Sequence, residues 1–411
     1  SLKRIMLDQS TALSDVKILD FSHLLAGPFA TQMLGDYGAE VYKIERIHVG
    51  DDFRRWNFFN KKVGGYSSAS YMAWNRNKRS IALDIRKDEA KKIIYKMAES
   101  CDVVIQNFRP GVMAKRGYGY EDFKKINPKI IYCSGSGYGE SGPYLNKPGQ
   151  DLLLQGISGL AKNTGRSTYP PTQLGAGIAD QLGSLNMVIG ILSALHYRNR
   201  SGRGQEIKVD LMSALLQHQL QEFVAVLNLN QEFERPESGV GHPGSGAPFG
   251  IYKTKDDYIT IAVASLEDLS EILEDDGLKK YSEGPSGAMG SDLQIKKRDE
   301  IFHYIEKLTK NFTTDFLDKE LSKKGCWSAP LKTHKQVYDD PQVKHIGMFS
   351  TFNHDNYGEV KTVSPAVKMS ETPTKISRPV PMIGEHGFEI LNEFGYSDEE
   401  INNFIKNEIM S

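Results

Sequence analysis

The feature that most constrains the fold is an alternation of short apolar strands and helices in the first third of the chain. Residues 16–21 form an apolar, β-branched run, a helical stretch extends from Pro28 to near Gly38, and residues 40–44 form a second strand-like run. A strand, a helix and a second strand in this order form the repeating unit of a doubly wound parallel sheet. The alternation continues with predicted strands at 80–84, 102–106 and 129–133 and predicted helices at 88–100 and 120–126. The sequence therefore predicts an α/β fold.

The loop after the first predicted strand argues against a dinucleotide cofactor. Residues 22–28 read SHLLAGP and lack the Gly-x-Gly-x-x-Gly pattern that cradles the pyrophosphate in nicotinamide and flavin enzymes. In open α/β sheets, ligands bind at the carboxyl ends of the strands. Basic residues gather near these ends, at Arg46, Arg54, Arg55, Arg76, Lys78, Arg79, Arg86, Arg109, Lys115 and Arg116. They indicate a compact anionic ligand, although solvated surface charge is the alternative.

The composition excludes several classes of partner. The 51 Lys and Arg residues balance 52 Asp and Glu residues, so we expect no nucleic-acid partner. The cysteines, Cys101, Cys133 and Cys326, lie far apart and form neither a disulfide framework nor a metal-ligand spacing, so we expect no metal and a reducing, cytoplasmic location. No signal peptide and no run of about 18 apolar residues is apparent, so we expect no membrane association.

Asp180 stands before the most regular apolar pattern in the chain. From Leu182 to about Arg198 the apolar residues recur at helical spacing, and small residues surround Asp180. Spacing alone favours Asp180 as the N-cap of this helix, where its carboxylate would accept free backbone N–H groups. The small neighbours also leave room for a bulky molecule to approach an acidic side chain. The residues alone leave both interpretations open.

A chain of 411 residues exceeds what one hydrophobic core usually organises. We therefore predict a large domain whose N-terminal part is residues 1–225. A linker and Gly-rich flap follow at 226–250, then a smaller α+β domain at 251–335, which includes a surface loop at 283–290. A return segment at 336–411 completes the large domain.

Several ordered motifs together identify a family. They are ILDFSHLLAGP at 18–28, VYKIER at 41–46, NRNKRSIALD at 75–84, QNFRPG at 106–111, SGYGESGP at 136–143, IAD at 178–180, RSGRGQ at 200–205 and PMIGEH at 381–386. With these motifs the chain resembles the family III CoA-transferases, the CaiB/BaiF group that includes formyl-CoA and carnitinyl-CoA transferases. The resemblance covers essentially the whole chain. The motifs are specific for the family and not for the substrate.

The resemblance implies a Rossmann-like large domain built from both chain ends, with a smaller inserted domain. It also implies a ring-shaped subunit in an interlocked homodimer. The family's catalytic aspartate falls on Asp180. CoA contacts are implied for Leu25, Ala26, Arg46, Leu83, Asp84, Arg86, Asn107, Phe108, Lys115, Ser136, Gly137, Tyr138 and Gly139. CoA and acyl-CoA would be substrates rather than permanently bound cofactors. Ser136 and Leu25 replace a lysine and a glutamine of formyl-CoA transferases, which argues against formyl/oxalate specificity.

The chemistry expected of Asp180 agrees with this resemblance. A carboxylate with an ordinary pKa of about 3.9 is ionised at neutral pH and needs no base to act as a nucleophile. It would attack an acyl-CoA to give an aspartyl anhydride and then an aspartyl-CoA thioester, which a second carboxylic acid resolves. The flap at 239–246 would exclude water, and backbone N–H groups of the glycine loops would stabilise the oxyanions.

Two alternatives to a CoA-transferase remain. An α-methylacyl-CoA racemase shares the fold but needs a histidine where this chain has Gln150, and a glutamine cannot shuttle a proton. His23 is a candidate base, although a loop histidine with satisfied hydrogen bonds is the simpler interpretation. The other alternative is a CoA-binding protein without catalysis, against which the intact Asp180 argues.

Overall fold

The computed structural model describes residues 11–282 and 290–411, so the first ten residues and nearly all of the predicted loop at 283–290 lie outside the described part. The chain divides into two compact units. The first comprises the described residues of Ser1–Leu154, Gly177–His218 and Pro341–Ser411, and the second those of Gln155–Ala176 and Gln219–Asp340. Residues 155–176 thus belong to the second unit, a grouping for which we found no signal in the sequence.

The first unit is built on a parallel sheet. Its strands are β1 (Lys17–Asp20), β2 (Glu40–Glu45), β3 (Lys78–Ala82), β4 (Val103–Gln106), β5 (Ile131–Ser136) and β6 (Glu206–Asp210). They lie in the order β3-β2-β1-β4-β5-β6, and every neighbouring pair is parallel. This order is that of the doubly wound Rossmann fold, whose ligands bind beyond the carboxyl ends of the strands. The predicted α/β fold with a parallel sheet is confirmed.

The remaining strands are antiparallel. In the second unit, β7 (Gly250–Lys253), β8 (Tyr258–Val263) and β9 (Trp327–Pro330) form one sheet. Its core includes Tyr252 and Phe302, whose rings stack with centroids 4.3 Å apart. In the first unit, β10 (Phe349–His354) and β11 (Gly358–Val363) form a hairpin.

The helices connect and cover these strands. In chain order they are α1 (Ala26–Asp36), α2 (Ala69–Trp74), α3 (Asp88–Ala98), α4 (Val112–Lys115), α5 (Tyr120–Ile126), α6 (Asp151–Ile157), α7 (Leu160–Asn163), α8 (Ile178–Ser201), α9 (Leu211–Gln217), α10 (Leu220–Leu229), α11 (Leu266–Ile272), α12 (Asp292–Lys296), α13 (Arg298–Thr309), α14 (Thr314–Lys323), α15 (His334–Asp339), α16 (Pro341–His345), α17 (Gly387–Glu393) and α18 (Asp398–Lys406). Short 3-10 helices occur at Asp52–Arg55, Phe58–Asn60 and Asp276–Tyr281.

Helix α8 corrects one expectation. It begins at Ile178 with Gly177 as its N-cap, so Asp180 lies within the first turn and the N-cap prediction is wrong. The helix is long and apolar enough to cross a bilayer by length and composition, a test that the core helix of a soluble protein also passes. It packs against α1, β5 and β6 of the same unit, which is the environment of a core helix.

The apolar pattern of residues 211–229 predicts one long helix, whereas the structure has two helices there. Asp210 caps α9 by accepting the backbone N–H of Ser213 at 2.7 Å, and the helical path breaks at His218 and Gln219 before α10 begins. The apolar pattern continues through the break between the two helices. The sequence therefore shows no sign of the break, because periodicity does not report local backbone geometry.

The C-terminal segment is fixed to the sheet of the first unit by charged contacts. Arg79 on β3 is almost fully buried and pairs with Glu389 at 2.6 Å and with Glu393 at 2.5 Å, both on α17. Arg76 donates to the backbone carbonyl of Val363 on β11 at 2.5 Å. These contacts bring residues from opposite ends of the chain into one unit.

Candidate active site

The backbone N–H and the backbone carbonyl of Asp180 are each hydrogen-bonded to a side chain. Its N–H donates to Oδ2 of Asp151 at 3.1 Å, and its carbonyl oxygen accepts a hydrogen bond from Oγ of Ser184 at 2.9 Å. Asp151 is buried and is the first residue of α6. The carboxylate of Asp180 is half-buried on the first turn of α8. Its position is therefore set by one contact from α6 and one from Ser184 in its own helix.

The environment makes Asp180 an unusual carboxylic acid. Burial, together with the negative charge of Asp151, raises the pKa of Asp180 to about 7. Both causes disfavour the ionised form, because an anion loses hydration on burial and is repelled by a like charge. The expectation of an ordinary pKa is wrong. Asp180 changes charge in the physiological range, and a perturbed acid of this kind is typical of functional sites.

The turn after β1 lies close to the start of α8. Leu24 has a left-handed φ of 67°, and its N–H donates to Asp51 at 3.1 Å. The Oγ of Ser184 lies 2.6 Å from the carbonyl oxygen of Ala26. A Cβ atom on Gly177 would lie 3.3 Å from Cδ1 of Leu25, so the two turns are in close contact. The turn that carries Leu25 and Ala26 is therefore packed against the turn that carries Asp180.

A cavity of about 400 Å³ opens at the carboxyl ends of β1, β2 and β3. It is lined by Phe21, His23, Ile44, Glu45, Arg46, Ile47, Val49, Leu83, Asp84, Ile85, Arg86, Phe108, Val112 and Arg116. Three arginines thus contribute to an otherwise largely apolar lining. Such a lining suits a ligand that combines a flat apolar group with phosphates.

Two of the three arginines already have carboxylate partners. Arg46 pairs with Asp52 at 2.5 Å, and Arg86 with Asp84 at 2.8 Å. Both guanidinium groups are largely exposed, so these pairs are weak and a phosphate can compete for them. The cavity therefore offers cations that can exchange one anion for another.

Five of the predicted CoA contacts line this cavity: Arg46, Leu83, Asp84, Arg86 and Phe108. Lys115 is not among the lining residues, whereas its neighbour Arg116 is. Asn107 fixes the turn after β1, since its side chain accepts the N–H of His23 at 2.8 Å and donates to the His23 carbonyl at 2.7 Å.

The other predicted contacts lie nearer to Asp180 or in the loop after β5. Leu25 and Ala26 belong to the turn beside α8, as described above. Gly137 packs on Gly149, where a Cβ atom would approach the Gly149 Cα to 2.5 Å, and Gly149 stands two residues before Asp151. Ser136 accepts the N–H of Gly139 at 3.0 Å, and the Tyr138 ring lies 5.4 Å from that of Tyr144. The predicted contacts outside the cavity lining are therefore Leu25 and Ala26 beside the start of α8, residues 136–139 at the end of β5 and after it, and Asn107 and Lys115.

His23 differs from the histidine with satisfied hydrogen bonds that we expected. Its Nδ1 is buried and has no hydrogen-bond partner in the part of the chain that the structure describes. The nearest carboxylate, that of Asp51, is 4.0 Å away and lies 3.0 Å from Lys43. Burial lowers the pKa of His23, which favours the neutral ring. The ring lies in the cavity wall, edge-on to Phe108.

Part of the predicted basic cluster does not face a ligand. Four of its members are buried in ion pairs: Arg54 with Glu45, Arg76 with Asp36, Lys78 with Asp20 and Arg79 with Glu40. These residues hold the interior of the first unit together. Fewer cations are therefore available to a ligand than the sequence suggested. The sequence shows that a residue is charged but not which residue it pairs with.

Comparison with known proteins identifies the family. The sequence model of CoA-transferase family III matches residues 13–387. The chain belongs to this family. The succinyl-CoA:glutarate CoA-transferase of Homo sapiens is 35% identical over 405 residues, which cover 95% of this chain and 87% of that protein. The formyl-CoA:oxalate CoA-transferase of Rhodopseudomonas palustris (strain BisA53) is 29% identical over 413 residues, 95% of each chain.

A solved structure supports the same assignment. The crystal structure of a CaiB/BaiF family protein from Brucella suis matches with a TM-score of 0.82 and 33% identity, covering 94% of this chain and all of that one. The resemblance found in the sequence is thus confirmed. As a family III CoA-transferase, the protein is an enzyme that transfers CoA between acyl-CoA thioesters and carboxylic acids.

Proposed function

We propose that Asp180 is the nucleophile of this CoA-transferase. Its carboxylate attacks the carbonyl carbon of the donor acyl-CoA, the C–S bond breaks, and CoA thiolate leaves an aspartyl anhydride. The thiolate then attacks the aspartyl carbonyl and releases the donor acid, which leaves an aspartyl-CoA thioester. The acceptor carboxylate repeats both steps in reverse order and regenerates Asp180. The observation that carries this proposal is the fixed, half-buried Asp180, whose pKa of about 7 permits ionisation at neutral pH.

CoA is proposed to bind along the carboxyl edge of the sheet. The cavity with Arg46, Arg86 and Arg116 would hold the nucleotide, since guanidinium groups bind phosphates and the apolar wall suits a base. The pantetheine arm would extend toward the turn with Leu25 and Ala26. The predicted contacts that line the cavity and those at Leu25 and Ala26 support this path, because a long ligand needs contacts at both ends.

Dicarboxylic acids of four or five carbons are the proposed donor and acceptor. A relative at 35% identity is named for succinyl-CoA and glutarate. Leu25 and Ser136 also differ from the glutamine and lysine of formyl-CoA transferases. A racemase is disfavoured because Gln150 is an amide whose Oε1 accepts the N–H of Leu152 at 2.9 Å, so it offers no proton-transfer group.

The proposed assembly is an interlocked homodimer in the cytoplasm. Two helices expose apolar faces that a second copy would cover. On α8 the exposed residues are Leu185, Ile189 and Leu192, and on α10 they are Leu220, Val224 and Leu227. Exposed apolar helix faces of this kind are typical of interfaces. The Gly-rich segment at 239–246 is proposed to close over the reacting groups during the cycle.

Replacing Asp180 by Asn tests the proposed nucleophile. The change keeps the size of the side chain and removes its charge. We expect the variant to fold and to bind acyl-CoA with an unchanged Kd, while exchange of CoA between succinyl-CoA and glutarate falls by at least 1,000-fold, about the loss typical of a removed catalytic group. The matched control is Asp315→Asn, which also lies in the first turn of a helix, α14, and is not among the residues that line the cavity. Transfer by Asp180→Asn at more than a few percent of the wild-type rate would contradict the proposal.

A further inference from the structure

Ser184 lies one helical turn after Asp180 and is completely buried. Its hydroxyl oxygen lies 2.6 Å from the carbonyl oxygen of Ala26 and 2.9 Å from the carbonyl oxygen of Asp180. The two acceptors belong to different helices, α1 and α8, and are 154 positions apart in the sequence (180 minus 26). One hydroxyl therefore connects the first residue of α1 to the residue that carries the proposed nucleophile.

The contact with Ala26 distinguishes Ser184 from an ordinary helix serine. Serine, threonine and asparagine inside helices often donate to the carbonyl four residues earlier, and that bond has only local consequences. Asn186, on the same helix, makes such a bond to the Leu182 carbonyl at 2.9 Å with a partly buried side chain. Ser184 has the same spacing to Asp180, but its single hydroxyl proton is shared between that carbonyl and the closer carbonyl of Ala26 on α1. Asn186 is thus a matched control within the same helix.

The segment that Ser184 reaches is itself fixed. Ala26 follows the left-handed Leu24, whose N–H is bonded to Asp51, and His23, whose N–H and carbonyl are both bonded to the Asn107 side chain. The turn is thereby anchored to the carboxyl ends of β2 and β4. The hydroxyl of Ser184 therefore links the start of α8 to this anchored turn by a hydrogen bond.

We propose that Ser184 is a positioning residue for acyl transfer to Asp180. Its hydroxyl sets the distance between Asp180 and the turn of Leu25 and Ala26, against which the thioester carbonyl would lie. This inference rests on the proposed role of Asp180 as the nucleophile. Without the hydroxyl, the first turn of α8 loses this hydrogen bond to α1, and its position is set less exactly by side-chain packing alone. A shift of about 1 Å in a reacting group can reduce the rate about 100-fold, because the attack geometry is lost.

The test compares Ser184→Ala with Asn186→Ala in the full-length protein. We measure kcat and KM for succinyl-CoA, the Kd for CoA, the thermal midpoint and the amount of Asp180 converted to hydroxamate by hydroxylamine in a single turnover. For Ser184→Ala we expect kcat and the single-turnover rate to fall about 10- to 100-fold. Its KM and Kd should stay within about twofold of wild type, since the arginine-lined cavity is untouched. Asn186→Ala should match wild type in all of these.

Other outcomes separate the two proposals. A wild-type rate in Ser184→Ala, or an equal loss of rate in Asn186→Ala, would overturn the proposed role of Ser184. The proposed role of Asp180 as the nucleophile would still stand if Asp180→Asn is inactive. Substantial transfer by Asp180→Asn would instead refute the proposed function. If Ser184→Ala does not fold, Ser184→Cys, which keeps the volume and a weak donor, decides the question. An intermediate kcat at unchanged KM supports positioning, and an unchanged kcat overturns it.

Discussion

The backbone N–H of Asp180 donates to Oδ2 of Asp151 at a distance of 3.1 Å. The residues are 29 positions apart: Asp151 begins α6, and Asp180 lies in the first turn of α8. This contact has two effects on Asp180. It fixes the start of α8, and it places a negative charge beside the proposed nucleophile, which together with burial raises the pKa of that group to about 7.

The raised pKa predicts a pH dependence of transfer. The nucleophile is the carboxylate, so the single-turnover rate should increase with pH up to a plateau, with a midpoint near the pKa of about 7. The measurement is the rate of aspartyl-CoA formation between pH 5.5 and 8.5 at saturating succinyl-CoA. A rate that is constant over this range would show that Asp180 is already ionised at pH 5.5 in the complex.

Asp151→Asn should move this midpoint. The amide keeps an oxygen that can accept the N–H of Asp180 but removes the negative charge that opposes ionisation. We expect the midpoint of the rate profile to shift toward acidic pH by about half a unit to one unit. Asp151→Ala removes the acceptor as well and should lower kcat about tenfold through misplacement of α8. An unshifted profile in Asp151→Asn would leave Asp151 without an electrostatic effect on Asp180.

Arg116, rather than Lys115, should bind the phosphates of CoA. Arg116 lines the arginine-rich cavity and Lys115 does not. Loss of a charge-assisted hydrogen bond of about 1.5 kcal/mol raises KM roughly tenfold, so Arg116→Ala should raise the KM for acyl-CoA by about that factor. Lys115→Ala is the matched control and should stay within about twofold of wild type. The opposite ranking of the two variants would favour the assignment made from the family resemblance.

Asp180 should also destabilise the folded protein at alkaline pH. Its pKa in the folded state, about 7, lies above the ordinary value of 3.8. The stabilisation from the protonated form is complete below the ordinary value and is lost as pH rises through about 7. Asp180→Asn should therefore increase the free energy of unfolding by about 1 to 3 kcal/mol at pH 8 and have little effect at pH 4. The measurement is urea unfolding at both pH values, and equal effects at both would contradict the raised pKa.

The sequence was informative where local patterns decide structure. The parallel strands and the helix over 120–126 follow from apolar periodicity, and Asp180 could be singled out from a short motif with small neighbours. The contact between Asp151 and Asp180 could not be predicted from the sequence, because it depends on how the loop between β5 and α6 folds. Gly137 and Gly149 pack backbone to backbone in that loop, and a pattern of glycines does not specify which of them meet.

The sequence also could not show which of two adjacent basic residues lines the cavity. Lys115 ends the short helix α4 and Arg116 follows it, so a single step along the chain decides which cation enters the cavity. Similarly, the start of α8 differs by four residues from the start of its apolar pattern at Leu182, which changed Asp180 from an expected cap to a residue of the first turn. Sequence periodicity locates elements, whereas their ends and the side chains that face a ligand depend on tertiary contacts.

Direct detection of a covalent intermediate on Asp180 tests the central claim. Wild-type enzyme is mixed with succinyl-CoA, treated with hydroxylamine during turnover, digested and analysed by tandem mass spectrometry. We predict a hydroxamate on Asp180 that forms only when succinyl-CoA is present and is absent from Asp180→Asn. Full turnover without modification of Asp180, or a hydroxamate on another carboxylate such as Asp151 that accounts for the lost activity, would show that the nucleophile has been assigned to the wrong residue.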